Sequence, residues 1–401
     1  MTEASNSTEQ RRPALDGVRV LDWTRLVPGA FAAALLGDLG ADVIKIEEPQ
    51  RGDYLRWIAP QGEATSCAFL ALGRNRRSLG LDTRTVQGRE VLNRLVEQAD
   101  VLLESFRPGV LAAQGLGPED LRARNPRLVV CSLSGFGANG PLQSKAAHDL
   151  NYQALGGSLD PYLWGGDRPR PTGVLVADLG GALYSVLSVL AALYARARDG
   201  EGQSVDLGLF DSLLSLTAMT AAKDLIQQQP YGVGEYRLSG LDPAYDVYPT
   251  ADGQFVALGA VEPKFWEAFC QAVGEPELAA WRWEAEQRPA LRERLTEVFR
   301  TRTRDEWAAF AEEGDYCLSA VLAAGEALDT QQVAERELLG EIDHPQEGRI
   351  RQFCFPAKLS ATPAALHRPP PLLGEHTDEI LAEAGFSREE IEAFRQDEVI
   401  R

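Results

Sequence analysis

Residues 17–47 read GVRVLDWTRLVPGAFAAALLGDLGADVIKIE. The stretch opens on a short apolar run, GVRVLD (17–22), and closes on another, ADVIKIE (41–47). Both are rich in Val, Ile and Leu and too short for a helix, so they predict strands. AFAAALLGDLG (30–40), dense in Ala and Leu, predicts a helix between them. Strand, helix and strand in this order imply a parallel pair joined by a crossover. The pattern then repeats. RRSLGLD (76–82) predicts a third strand, and TVQGREVLNRLVEQA (85–99) a helix with Asp82 and Thr83 as capping candidates. DVLLESF (100–106) and RLVVCSLSGFG (127–137) predict two more strands, with helical GPEDLRARN (117–125) between them. The fold class is α/β, with a Rossmann-like parallel sheet covered by helices on both faces.

Beyond this point VLVADLGGALYSVLSVLAALYARAR (174–198) predicts a long helix buried on most sides. GQSVDLGLFD (202–211) predicts a strand, followed by a helix to about Gln228. The character then changes. AYDVYPTADGQFVALGA (244–260) predicts two strands around an Asp-Gly turn, and Trp-containing amphipathic helices follow in PKFWEAFCQAVG (263–274) and LTEVFRTRTRDEWAAFAEE (295–313). The expected organisation is a flexible tail over 1–14, a large α/β domain over 15–225 completed by 335–401, and a small α+β domain over 230–330. HRPPPLLGEHTDEILAEAGFSREEIEAFRQ (367–396) predicts a proline-stiffened connection and two short helices.

The totals set limits. With 401 residues, 44% of them hydrophobic, the chain has material for two cores. Its net charge of −19 argues against a nucleic-acid partner, and any anionic ligand would need a local basic pocket. Of the 40 basic residues only Lys45, Lys145, Lys223, Lys264 and Lys358 are lysines, so anion contacts would use guanidinium groups. No uninterrupted apolar run reaches about 18 residues, so no membrane span is expected. The polar start MTEASNSTEQRRP lacks the apolar core of a signal peptide, and a cytoplasmic location is the expectation. Cys67, Cys131, Cys270, Cys317 and Cys354 form no C-x-x-C pair, which points to reduced thiols and no metal site.

Three residues are candidates for chemistry, each with a plain alternative. His148, in AHDLNYQALGG (147–157), precedes an aspartate at a helix entry, where Asp149 could cap and His148 merely pack. Asp178 lies inside an apolar helix start and could be a cap; a poorly solvated carboxylate there would instead have a raised pKa suited to proton transfer. Glu262 precedes Pro263, a favoured first helical residue, and could simply complement that helix. Among basic groups, GRNRRS (73–78) is the densest cluster, while Arg84 and the arginine of SFRPG (105–109) sit near the carboxyl ends of strands, where open parallel sheets bind ligands. No G-x-G-x-x-G follows the first strand and no Walker A pattern occurs, so a nicotinamide or nucleoside-triphosphate enzyme is disfavoured.

RVLDWTRLVPGAFAAALLGDLGADVIKIEEP, NRRSLGLD, ADVLLESFRPGVLAAQGLGPEDL, GEGQSVDLGLFD, YPTADGQFVALGAVEPKFW and LLGEHTDEILAEAGFS occur in colinear order from about Leu15 to Arg395. Together they resemble the family III CoA-transferases (CaiB/BaiF), the group that includes the α-methylacyl-CoA racemases. The resemblance implies one of two activities. Transferases of the family use the aspartate that Asp178 matches as a nucleophile towards an acyl-CoA. Racemases keep that aspartate and add a histidine in an HDLNY-type segment and a glutamate in a GA-x-EP-x-F segment, which His148 and Glu262 match. The expected activity is an acyl-CoA racemase interconverting (R)- and (S)-2-methylacyl-CoA; the alternative is an acyl-CoA:carboxylate CoA-transferase, and a non-catalytic CoA-binding protein is the third reading.

On the racemase reading, His148 and Asp178 exchange the alpha proton on opposite faces, Glu262 orients His148, and the N–H of Asp149 helps to hold the thioester oxygen. For coenzyme A, the family positions carry over to Leu81, Asp82, Thr83, Arg84, Ser105, Phe106 and Arg107, and to Ala147, Leu150, Asn151 and Tyr152. Arg84 and Arg107 would serve the phosphates, with Arg74 and Arg76 as further candidates. Coenzyme A enters as part of the substrate, and no other cofactor is required. The partners expected are an acyl-CoA thioester and a second copy in an interlocked homodimer. Glu48 and Ala113 stand where the family has basic residues, and only Met1 and Met219 are methionines, which points to a shorter acyl group than a steroid side chain.

Overall fold

Six strands carry the pattern read from residues 17–47: β1 (Arg19–Trp23), β2 (Asp42–Glu47), β3 (Arg76–Gly80), β4 (Val101–Glu104), β5 (Val129–Ser134) and β6 (Ser204–Gly208). The computed structural model describes residues 12–160, 168–231, 235–236, 238 and 240–401, so most of the tail expected over 1–14 lies outside the described residues. The strands form one wholly parallel sheet in the order β3-β2-β1-β4-β5-β6. Strand order reverses between β1 and β4, and the crevice beyond their carboxyl ends is where such sheets bind ligands.

Alternation along each strand feeds two cores. Leu21, Ile44, Leu102 and Val130 pack with Val91, Leu92, Leu95 and Leu121 on one face. Val20, Val43, Val101 and Val129 pack with Ala32, Ala33, Leu36, Ala182, Val186 and Val189 on the other. Both faces are covered, so the strands read as near-continuous apolar runs, as parallel strands do. The last residues complete the first core: Leu81 bridges to Ile400, and Ile380, Leu381 and Phe394 pack into it.

The chain divides into two compact units, one of residues 1–153, 173–216 and 331–401, the other of 154–172 and 217–330. The second contains a three-stranded antiparallel sheet (Tyr245–Pro249, Phe255–Gly259, Leu318–Ala320). Its core is aromatic, with Trp266, Phe269, Phe299 and Trp307 at 0–1% exposure. The expected Asp-Gly turn is present, with Gly253 at φ 74°, and Glu262 and Pro263 start the helix Pro263–Ala272 as read from sequence.

Some expectations need correction. Thr85, rather than Asp82 or Thr83, caps the helix Val86–Glu97, its hydroxyl accepting from Gly88 N at 2.9 Å. The single helix expected up to Gln228 is two, Leu209–Leu216 and Ala222–Gln227, separated by a turn. By length and composition the helix Val176–Asp199 could cross a membrane, which the run-length criterion missed because Gly, Ser and Tyr interrupt the run. Its Ala182, Val186 and Val189 side lies in the sheet core, while Leu183, Leu187 and Tyr194 are 54%, 60% and 79% exposed.

Candidate active site

Basic residues of GRNRRS do not face a ligand. Arg74 is paired with Asp38 at 2.7 Å and Arg76 with Asp22 at 3.0 Å, and both side chains are essentially buried. Arg77 is held by Asp42, Glu379 and Glu383. A buried guanidinium is tolerable only when its hydrogen bonds and charge are met, so these arginines are structural. Arg84 differs from them: it is bonded to Asp82 at 2.8 Å and lies 3.9 Å from Glu48, but its side chain is 72% exposed.

The cavity that matters, of about 500 Å³, opens beyond the carboxyl ends of β1, β4 and β5. Ser105, Phe106 and Arg107, which leave β4, line one side. Ala147, His148, Asn151, Tyr152 and Asp178 line another. Leu81, Asp82, Thr83 and Arg84 are not part of this lining, and neither is Leu150. Glu262 belongs to the second compact unit. Residues that the sequence reading missed are Arg25, Leu26 and Tyr54, along with Gly135 and Lys145. Arg25 lies two residues beyond β1, one of the two strands at the switch point, a position that a lone arginine does not mark in the sequence.

His148 and Asp178 reach the same cavity through Asp149. The helix Val176–Asp199 has Leu175 at its N-cap, whose side chain cannot accept a hydrogen bond. Asp149 supplies the missing acceptor from 28 residues away. Its Oδ1 accepts from Ala177 N at 2.8 Å and from Asp178 N at 3.1 Å, while Gln153 donates to its Oδ2. The chain at His148 is thereby stapled to the helix turn that carries Asp178. His148 N also donates to Asn151 Oδ1 at 3.0 Å, fixing its entry into the helix Asp149–Leu155. The carboxylate of Asp149 is thus a clamp, a role the sequence reading did not foresee.

Burial, with the Asp149 carboxylate adding to it, pushes the Asp178 carboxyl up to about 6. Such a group is available in both protonation states near neutral pH. Tyr152, whose hydroxyl donates to Ala147 O at 3.2 Å, is pushed up to about 12 by burial and by Asp178 and Asp149, so it stays a neutral phenol. Gly135 makes room for that phenol, since a Cβ there would meet the Tyr152 hydroxyl at 2.5 Å.

Fold and cavity together define an α/β enzyme class with reactive side chains in the switch-point crevice. Comparison with known proteins narrows it. The family model described as CoA-transferase family III matches residues 15–377. The chain is 35% identical to α-methylacyl-CoA racemase of Homo sapiens over 390 residues, 96% of this chain and 97% of that one. It is 33% identical to succinyl-CoA–D-citramalate CoA-transferase of Chloroflexus aurantiacus over 406 residues, 98% of this chain and 100% of that one. A solved CAIB/BAIF family protein from Brucella suis superposes with a TM-score of 0.81 at 31% identity, covering 94% of this chain and 100% of that one. The chain belongs to CoA-transferase family III.

Proposed function

We propose that this enzyme is an acyl-CoA racemase that interconverts (R)- and (S)-2-methylacyl-CoA. The observation that carries the reading is a histidine and a near-neutral carboxyl lining one cavity, His148 and Asp178. A proton alpha to a thioester is weakly acidic, so its removal needs a positioned base and a partner for the enolate oxygen. In one direction the neutral imidazole of His148 takes the proton from one face. The protonated Asp178 then returns a proton to the same carbon from the other face. The reverse direction exchanges the roles, and the net proton count is unchanged. Asp149 N–H, in the first turn of its helix, is the proposed donor to the enolate oxygen. Glu262 keeps the orienting role that the resemblance gives it, and Glu262→Gln tests it through a lowered kcat.

The working state carries one proton across the His148–Asp178 pair, and both directions use that state. The pH profile of kcat/KM is therefore expected to be a bell with one limb near pH 6, the value to which Asp178 is raised, and to be the same in both directions. A rate flat across that range would contradict a shared pair. Incubation in D2O with a chiral 2-methylacyl-CoA and no acceptor acid tests the activity itself. Transfer of CoA to a carboxylate, without such exchange, would support Asp178 as a nucleophile.

The interlocked homodimer is proposed as well, with a second copy covering the Leu183, Leu187 and Tyr194 stripe. Three large apolar side chains on one helix face are costly to leave in water. Sedimentation is expected to give twice the 43.8 kDa chain mass. Leu187→Glu is expected to shift the species towards the monomer, and an unshifted dimer would remove the stripe from the interface.

A further inference from the structure

Coenzyme A brings several phosphate charges to a chain whose own net charge is −19, so cations at the cavity must reverse the local field. Most arginines near the sheet edge cannot do this. Arg74, Arg76 and Arg77 are buried in ion pairs, and Arg84 is held by Asp82 with Glu48 beside it. Among the described residues lining the cavity, three cations have no carboxylate within ion-pair distance: Arg25, Arg107 and Lys145.

Arg25 is the most firmly built of the three. Its backbone N donates to Ser105 Oγ at 2.9 Å, joining the turn after β1 to the segment after β4. The next amide, Leu26 N, donates to Asp53 Oδ1 at 3.0 Å, and Asp53 is itself fixed by buried Lys45 at 2.9 Å. Leu26 sits at φ 63°, a left-handed conformation that a branched side chain adopts only when its surroundings impose it. The guanidinium then lies 5.2 Å from the Tyr54 ring centroid and 5.3 Å from that of Phe106. Two aromatic faces orient it, Nη1 donates to the Tyr54 hydroxyl at 3.4 Å, and its other N–H donors remain for an anion.

We propose that Arg25 is a further binding residue of this site, holding phosphate groups of the coenzyme A moiety together with Arg107 and Lys145. The proposal rests on the reading that the cavity takes CoA thioesters, and not on which reaction follows. It also explains how the chain manages with Glu48 and Ala113 at positions where the family has basic residues.

Calorimetric titration of the purified protein with coenzyme A, dephospho-CoA and, by competition, pantetheine tests it. Arg25→Gln is expected to weaken coenzyme A about tenfold, the size of one charge-assisted contact, and to leave pantetheine unaffected. An equal deficit for coenzyme A and dephospho-CoA places Arg25 on the pyrophosphate, and a deficit for coenzyme A alone places it on the ribose phosphate. Arg25→Lys, which keeps the charge, is expected to recover most of the loss, and a melting curve confirms that each variant is folded. Unchanged coenzyme A affinity in Arg25→Gln, an equal loss for pantetheine, or a lysine variant no better than glutamine would overturn the proposal. These differences can appear in a protein that fails to racemise any 2-methylacyl-CoA; that outcome defeats the racemase reading and leaves Arg25 assigned.

Discussion

Replacing His148 with alanine is expected to abolish racemisation, and with it alpha-proton exchange from the enantiomer whose proton faces His148, while leaving the protein folded. His148 is exposed on the cavity wall, and the bond that anchors its backbone, from its N to Asn151 Oδ1, does not involve its side chain. Truncation therefore removes one acid–base group and little packing. Loss of such a group costs about 100- to 10,000-fold in rate. Asp178 alone cannot replace it, because inversion needs a proton donor on the face opposite the acceptor. Exchange and racemisation are to be measured together by loss of the alpha-proton signal and by chiral analysis. Retained racemisation in His148→Ala would remove His148 from the mechanism.

Asp178→Asn is expected to lose activity by a similar factor and yet to gain stability at about pH 7.5. Burial raises the Asp178 carboxyl from 3.8 to about 6 in the folded chain. The folded state thus holds that proton more tightly than the unfolded chain does. As pH rises from about 4 to 6, stability falls, and above that the ionised carboxylate carries the full cost. A shift of two pKa units corresponds to about 3 kcal/mol, and partial exposure reduces this to on the order of 1–2 kcal/mol. Asparagine stays neutral, so the variant should melt higher at about pH 7.5 and match the parent below about pH 4. Equal melting at both pH values would mean that Asp178 is ordinarily solvated, and the poised acid–base group would be lost with it.

The sheet was legible because its signal is local. β1 to β5 are each a short apolar run whose neighbours in sequence are helices, and their alternating residues feed the two cores without reference to distant partners. The pairing of His148 with Asp178 was legible only through the family resemblance, since nothing in either segment names the other. What escaped were interactions between residues far apart in the chain. Arg76 looks like a surface charge until Asp22 is found 54 residues earlier, and Arg77 until Glu383 is found 306 residues later. Asp149 was read for its N–H, whereas its carboxylate accepts from Ala177 N, 28 residues on, and so caps a distant helix. Arg25 was overlooked because a single arginine after a strand carries no pattern; only the Ser105 and Asp53 bonds show how firmly that turn is held.

The central claim is that His148 and Asp178 move one alpha proton between the two faces of a CoA thioester. Its most direct measurement follows (S)-2-methylacyl-CoA with the purified wild-type protein in D2O, without any acceptor carboxylate. Deuterium entering the alpha position at the rate at which the (R) enantiomer appears is the expected result. An alpha position that keeps its proton and its configuration, in a protein that passes CoA to an added carboxylate, would contradict it.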